Sequence, residues 1–215
     1  MSFHLQGKIS IMLRMGRYTG PKDRLSRREG KELFGRQREA LQRRLKQPPG
    51  QHGERRASRM STYGVQFREK QGVKRMYGLR ERQFKRFLVL AYKNKDIPTG
   101  TALLQLLEQR LDNVVYRLGM AKTRPQARQF VSQGHILVNS AVLNVPSYIV
   151  KPGDVISMTQ KMFANPFVLD ILKQTQYIPA WMEVKEGAGH VLRVPERDEM
   201  DKDINEDLII GFYSR

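Results

Sequence analysis

The chain has 215 residues, 39 Lys+Arg against 21 Asp+Glu and no cysteine, for a formal net charge of +18. That length suits one large domain or two small ones. The composition excludes a disulfide framework, a thiolate-held zinc or iron–sulfur centre and a thiol nucleophile. No apolar run approaches the roughly 18 residues of a membrane helix, so the sequence predicts a soluble protein without membrane association.

The charge is uneven. Residues 1–80 carry 21 Lys+Arg and 6 Asp+Glu, residues 81–160 carry 11 and 5, and residues 161–215 carry 7 and 10. In the first block Arg outnumbers Lys 15 to 6. A folded unit this basic repels itself until a polyanion offsets the charge, and guanidinium groups fork onto phosphate and stack on bases. Nucleic acid is the leading partner, with an acidic protein or an anionic membrane as alternatives.

Along the chain, residues 1–14 fit neither a secretory signal nor a folded element. An amphipathic presequence or an upstream start ahead of Met15 would account for them. Gly16 to Arg28 (GRYTGPKDRLSRR) predicts an extended arm or loops. Glu29 to Lys46 then spaces Leu33, Phe34, Leu41 and Leu45 as a basic amphipathic helix, which Pro48-Pro49-Gly50 stops. Ser61 or Thr62 caps a short helix to Gln71. Leu79 to Lys95 predicts a strong helix, with Phe84, Phe87, Leu88 and Ala91 on one face and Arg80, Arg82, Lys85, Arg86, Lys93 and Lys95 spread over the other.

Ile97-Pro98-Thr99-Gly100 is turn chemistry and marks a domain boundary. Beyond it, Thr101 caps a helix carrying Leu103, Leu104, Leu107, Leu111, Val114, Val115 and Leu118, closed by Gly119. Thr123-Arg124-Pro125-Gln126 opens a second helix that stops at Gly134. His135 to Val138 and Ala141 to Val145 form a hairpin around Asn139-Ser140, and Val155 to Thr159 is a third strand. A helix follows at Asn165 to Lys173, then a strand pair from Val184 to Val194. The tail is acidic from Glu196 to Asp207 and ends in the apolar run Leu208, Ile209, Ile210, Phe212 and Tyr213, an end that docks rather than dangles.

Catalytic chemistry is missing. His4, His52, His135 and His190 share no metal-ligand spacing, and there is no nucleophile elbow, P-loop or GxGxxG. Asp198, Glu199, Asp201 and Asp203 lack the glycine and terminal Glu of a calcium loop; a solvated loop or a contact for basic neighbours explains them better. The expectation is no enzyme, no catalytic residue, no cofactor and no metal. What the second half offers is a grip on folded RNA. Arg110, Asn113 and Arg117 lie at helical spacing on one side of the first helix, and Lys122, Thr123, Arg124, Gln126 and Arg128 surround the positive end of the second. Gly134 and His135 lead into the hairpin and extend the edge. The alternative for Asn113 and Asp112 is local packing or capping.

The run RLDNVVYRLGMAKTRPQARQFVSQGHILVN, with NVPSY and KPGDVI, resembles the RNA-binding module named after small-subunit ribosomal protein S-four. GRYTGP, RREG at 27 to 30, PPGQHG at 48 to 53, YGVQFREKQ, YGLRERQFKR and the terminal FYSR extend the resemblance to the bacterial and organellar ribosomal protein family, from Gly16 to Arg215. It implies an α+β fold. A mainly helical rRNA-binding domain would comprise residues 16–96 plus 195–215, its last helix docked on Leu79 to Lys95. An α/β domain, 97–194, would be inserted in it and hold the module at about 109–170; residues 1–15 would be an extension or a mis-called start.

The resemblance further implies a structural constituent of the small ribosomal subunit, cytoplasmic or organellar. Such a protein binds small-subunit ribosomal RNA as a primary binder, nucleates assembly of the subunit body, contacts ribosomal protein S-five and, with S-five and S-twelve, contributes to translational accuracy. The RNA-facing residues it carries onto this chain are Arg17, Tyr18, Arg24, Arg27, Arg28, Gln51, His52, Gly53, Arg55, Arg56, Tyr63, Arg68, Lys70, Arg82 and Lys85. Many relatives hold zinc with N-terminal cysteines; Asp23 and Ser26 stand where the first pair would be, so RNA contacts are expected to order that segment. Asn139-Ser140 replaces a common Asn-Gly, leaving the turn type open. A pseudouridine synthase with the same module would need a catalytic domain for which this chain has no room, and a binder of stalled subunits would lack the PPGQHG half.

Overall fold

The computed structural model describes residues 18–35, 38–51, 53, 60–173 and 177–214. Its first helix begins earlier than the apolar spacing suggests. The segment read as an arm holds helix α1 (Lys22–Glu29), and α2 is only Glu39–Arg44. The single helix expected from Glu29 to Lys46 does not form, because Gly30 and Gly35 adopt φ of 66° and 61°, the left-handed conformation that ends helices. Leu33 is buried all the same, with its amide donating to Ser26 Oγ at 3.4 Å.

Protein groups hold this segment. The buried Glu29 carboxylate accepts from Arg75 and, at 3.4 Å, from Arg68, while Lys31 Nζ lies 2.9 Å from Glu69. Arg38 reaches Asp23 at 3.5 Å. Where the expectation named RNA contacts alone, the described residues bring protein partners to this segment. Burial pushes Glu29 above the usual carboxylate range even though Arg75 and Arg68 pull it down.

Ser61 caps α3 (Thr62–Met76), accepting from the Gly64 amide at 3.2 Å, and the helix runs five residues beyond Gln71. Helix α4 (Glu81–Lys93) buries Phe84, Phe87, Leu88 and Ala91 as the spacing predicts. The helix expected from Thr101 to Leu118 is two helices, α5 (Thr99–Glu108) and α6 (Leu111–Arg117). Between them the backbone extends at Arg110 and bridges to Ile149. Val150 donates to the Gln109 carbonyl and Leu111 to the Tyr148 carbonyl, both at 2.9 Å. That partner lies some forty residues on, out of reach of helical periodicity.

Thr123 caps α7 (Arg124–Ser132) by accepting from the Gln126 amide. The strands β1 (Ile136–Val138), β2 (Ala141–Val142), β3 (Val155–Met158), β4 (Met182–Lys185) and β5 (Ala188–Val191) form one antiparallel sheet in the order β2-β1-β3-β5-β4. Asn139 and Ser140 have φ of 50° and 68°, the left-handed pair of a type I′ turn, so the hairpin keeps the twist it needs without glycine. Leu118 packs against Gly189 so closely that a Cβ there would stand 2.3 Å from its side chain. A helix not foreseen, α8 (Gln160–Phe163), precedes α9 (Pro166–Leu172), which Asn165 caps.

Two cores result. One gathers Val73, Tyr77, Leu79, Phe84, Phe87 and Leu88 with Leu103, Leu104 and Leu107 of α5 and Met200, Ile204 and Ile209 from the tail. The other runs from Leu111 and Val114 through Val131, Ile136, Ile156 and Trp181 to Val191. Leu103, Leu104 and Leu107 of α5, a segment expected in the inserted domain, pack into the first of these cores. The final helix α10 (Glu206–Tyr213), capped by Asn205, packs chiefly on α3 and α5 rather than on α4. It touches α4 through Tyr213, whose ring lies 6.3 Å from Phe84 and whose hydroxyl donates to Glu81 at 2.6 Å.

Candidate nucleic-acid interface

The helical spacing of Arg110, Asn113 and Arg117 is real, but the side they share faces inward. Arg110 is fully buried and paired with Asp112 through two hydrogen bonds of 3.0 and 2.7 Å. Asn113 is buried and donates to the Glu108 carbonyl and carboxylate. Arg117 forks onto Glu108 at 3.0 and 2.8 Å and reaches Asp201 at 3.0 Å. Arg124 donates to Asn113 Oδ1 and to Asp201, with its guanidinium 5.0 Å and 4.8 Å from the rings of Tyr77 and Tyr116. Tyr77 completes the cluster, donating to Glu108 at 2.6 Å.

These groups knot the two lobes together around a buried carboxylate. Burial alone would raise Glu108, yet Arg117 and the remaining donors hold it at about 2, because the charged form is the hydrogen-bonded one. Tyr77 is driven the other way by burial and by Glu108, and Arg117 is more firmly protonated still. Arg110 and Asn113 therefore leave the surface set, for the packing reason weighed above. Lys70 leaves it too: its ammonium is buried, 2.8 Å from Glu81 and 4.2 Å from the Phe212 ring. Two lysines and the Tyr213 hydroxyl outweigh partial burial and hold Glu81 at about 2.

Other expected contacts are half-buried and engaged. Arg27 donates to the Gln47 and Pro48 carbonyls, fastening the Pro48-Pro49 turn to α1. Arg68 serves Glu29, and Arg128 donates to the Gly78 carbonyl at 3.0 Å. Thr123 and Gln126 cap α7 and its approach, Gln126 Oε1 accepting from the Lys122 amide. Gly53, Gly134 and His135 are partly exposed. The residues open to solvent are Tyr18, Arg24, Arg28, Gln51, Tyr63, Arg82, Lys85 and Lys122. Arg17, His52, Arg55 and Arg56 lie outside the described residues.

Reading the sequence missed Glu108. Glu108 sits in a leucine-rich helix, where a lone carboxylate on the apolar face is the signal that a cation must meet it. The acidic tail proves to be a contact for basic neighbours: Asp201 takes Arg117 and Arg124, Glu199 takes Arg193 at 2.7 Å, and Glu206 takes Arg197 at 2.8 Å. Arg86, read on the basic face of α4 but not among the expected RNA-facing residues, is exposed beside Arg82 and Lys85 along a shallow groove with Val89 and Leu90. Among the described residues no three His, Asp or Glu side chains gather to hold a metal ion. No described helix is long and apolar enough to cross a membrane.

A basic helical lobe joined to a helix-helix-hairpin module belongs to the class of RNA-binding proteins. The comparisons specify the class. Residues 17–108 match the model described as "Ribosomal protein S4/S9 N-terminal domain", and residues 109–156 match the "S4 domain". The chain is 48% identical to a protein of Paracidovorax citrulli, 49% to one of Variovorax paradoxus and 47% to one of Thermoanaerobacter pseudethanolicus, each named "Small ribosomal subunit protein uS4". Each alignment covers 94% of this chain and 100% of the relative. The chain belongs to the uS4 family of small-subunit ribosomal proteins, a structural and non-enzymatic family. The two matched segments meet between Glu108 and Gln109, where α5 ends.

Proposed function

We propose that this chain binds small-subunit ribosomal RNA directly, as a primary binder that nucleates assembly of the subunit body in a cytoplasmic or organellar ribosome. Contacts with S-five, and an effect on translational accuracy shared with S-five and S-twelve, belong to the same reading. The helical lobe, with α5 and the tail, and the module after Glu108 act as one gripping unit.

The observation that carries the reading is the sorting of the cations. The knot between the lobes satisfies Arg110, Arg117 and Arg124 internally, whereas Arg24, Arg82, Lys85 and Arg86 are exposed and make no ion pair among the described residues. Their charge is offset by phosphate. Deep A-form major grooves exclude side chains, so this surface reads shape, phosphates and 2′-hydroxyls. Filter binding to small-subunit ribosomal RNA across a salt series tests it. With on the order of 6 to 10 phosphates neutralised, affinity falls by roughly 10³ to 10⁵ between 50 and 200 mM salt; a flat response overturns the reading.

A further inference from the structure

Between α1 and the start of α7 lies a cleft of about 450 Å³ that shares Tyr18, Thr123, Gln126 and Arg128 with the interface described above. Its walls are mostly apolar and aromatic: Tyr18 and Leu25 with Phe34 on one side, Met76 and Leu79 at the back, and Pro125 on the other side. Polar side chains line it as well, Thr19, Gln126 and Gln129 among them, with Lys22, Arg75, Arg124 and Arg128 supplying positive charge against one carboxylate, Asp112. Tyr18 folds back over Gly20, where an added Cβ would stand 2.7 Å from its hydroxyl, and it remains half exposed. Lys22 lies 5.5 Å from the centre of the Phe34 ring. A cleft with aromatic and aliphatic walls, several donors and acceptors and an excess of positive charge is the chemistry of a small-ligand site, and here part of it is built by the most basic part of the chain.

We propose that this cleft receives one unstacked nucleobase of the bound RNA, packed against Tyr18, with the polar side chains meeting the base edge and the cations meeting its phosphate. The inference rests on the RNA-binding reading and deepens it. A folded RNA reaches this cleft with its charge already matched to the lining cations, and each of its nucleotides couples a flat base to a phosphate. Sequence-specific RNA recognition favours splayed-out bases stacked on aromatic rings for the same reason. Stacking is also what a phosphate-only surface lacks: it contributes affinity without releasing counterions.

That difference gives the test. Full-length wild type, Tyr18→Ala and Gln129→Trp are titrated with small-subunit ribosomal RNA over a salt series, and base reactivity is mapped on the complexes. Both substitutions are at exposed positions, so folding is retained and a circular dichroism melt verifies it. The first removes a stacking face and the second fills the cleft without touching a charge. The expected result is an affinity loss of about 5- to 150-fold, the range of one stacked base, with an unchanged salt slope. One base protected by wild type becomes reactive with Gln129→Trp. Wild-type affinity in both variants overturns the insertion and leaves RNA binding standing. A changed slope, or an affinity loss with no base changing reactivity, overturns it as well. Failure of wild type itself to bind removes both readings together.

Discussion

The knot between the lobes and the outer face of α4 spend the same basic chemistry on opposite ends. Arg117 meets Glu108 and Asp201 with little exposure, and its neighbours Asn113, Arg124 and Tyr77 close the cluster against water. Arg82, Lys85 and Arg86 stand exposed, without an ion pair among the described residues. Buried charge is costly unless matched, so every cation of the knot brings a carboxylate or a ring. Exposed charge is cheap and waits for a partner from outside. A carboxylate within reach, and not the spacing of the arginines, separates a cation that holds the protein together from one left open to an outside partner.

The comparison breaks most readily at Glu108. Glu108→Ala strands Arg117, Asn113 and Tyr77, and removal of one side of a buried pair costs about 3–5 kcal/mol. Urea unfolding will show the loss, while the salt slope of RNA binding by the folded variant stays as in wild type. A loss under about 1 kcal/mol would mean the knot does not join the lobes. Acid sharpens the same point. Glu108 and Glu81, with ordinary values near 4.5, are held at about 2, so in that window the unfolded chain binds more protons than the folded one. Their contribution is full above pH 4.5 and is lost as the pH falls through 2. For Glu108 it amounts to at most about 3 kcal/mol. Glu29, raised by burial, works in the opposite direction. The fall in unfolding free energy from pH 5 to pH 3 should therefore be shallower in Glu108→Gln than in wild type.

On the other side of the comparison, replacing Arg82, Lys85 and Arg86 together by Ala leaves stability within about 0.5 kcal/mol per site. It lowers the salt slope of RNA binding by roughly one for each phosphate contact removed. An unchanged slope would place the RNA elsewhere.

Much of the fold was legible because its signals are local. The apolar face of α4, the Thr123 cap of α7, the Asn165 cap of α9 and the three-stranded part of the sheet each follow from residues within a few positions of one another. The failures are non-local. Leu33 and Leu41 keep a helical spacing across Gly35, and only the backbone at Gly30 and Gly35 shows that the helix has stopped. The break between α5 and α6 depends on pairing with Ile149. At the site, periodicity put Arg110, Asn113 and Arg117 on one side but could not say which way that side faces. Asp201, which decides it, lies 84 positions beyond Arg117.

The smallest expected effect comes from a position that touches neither group of cations. Ser140 occupies the second central position of a type I′ turn with φ of 68°, a conformation that a side chain opposes and glycine accepts freely. Ser140→Gly therefore relieves strain of up to about 1 kcal/mol while adding some entropy to the unfolded chain. The net is a gain of a few tenths of a kcal/mol, an upward shift of about a degree in a thermal melt of a chain this size. Because the turn carries no charge, RNA affinity and its salt slope should stay at wild-type values. A slope that moved with this neutral substitution would mean that the hairpin itself lies against phosphate, and the division between an inner and an outer set of cations would then have to include the sheet edge.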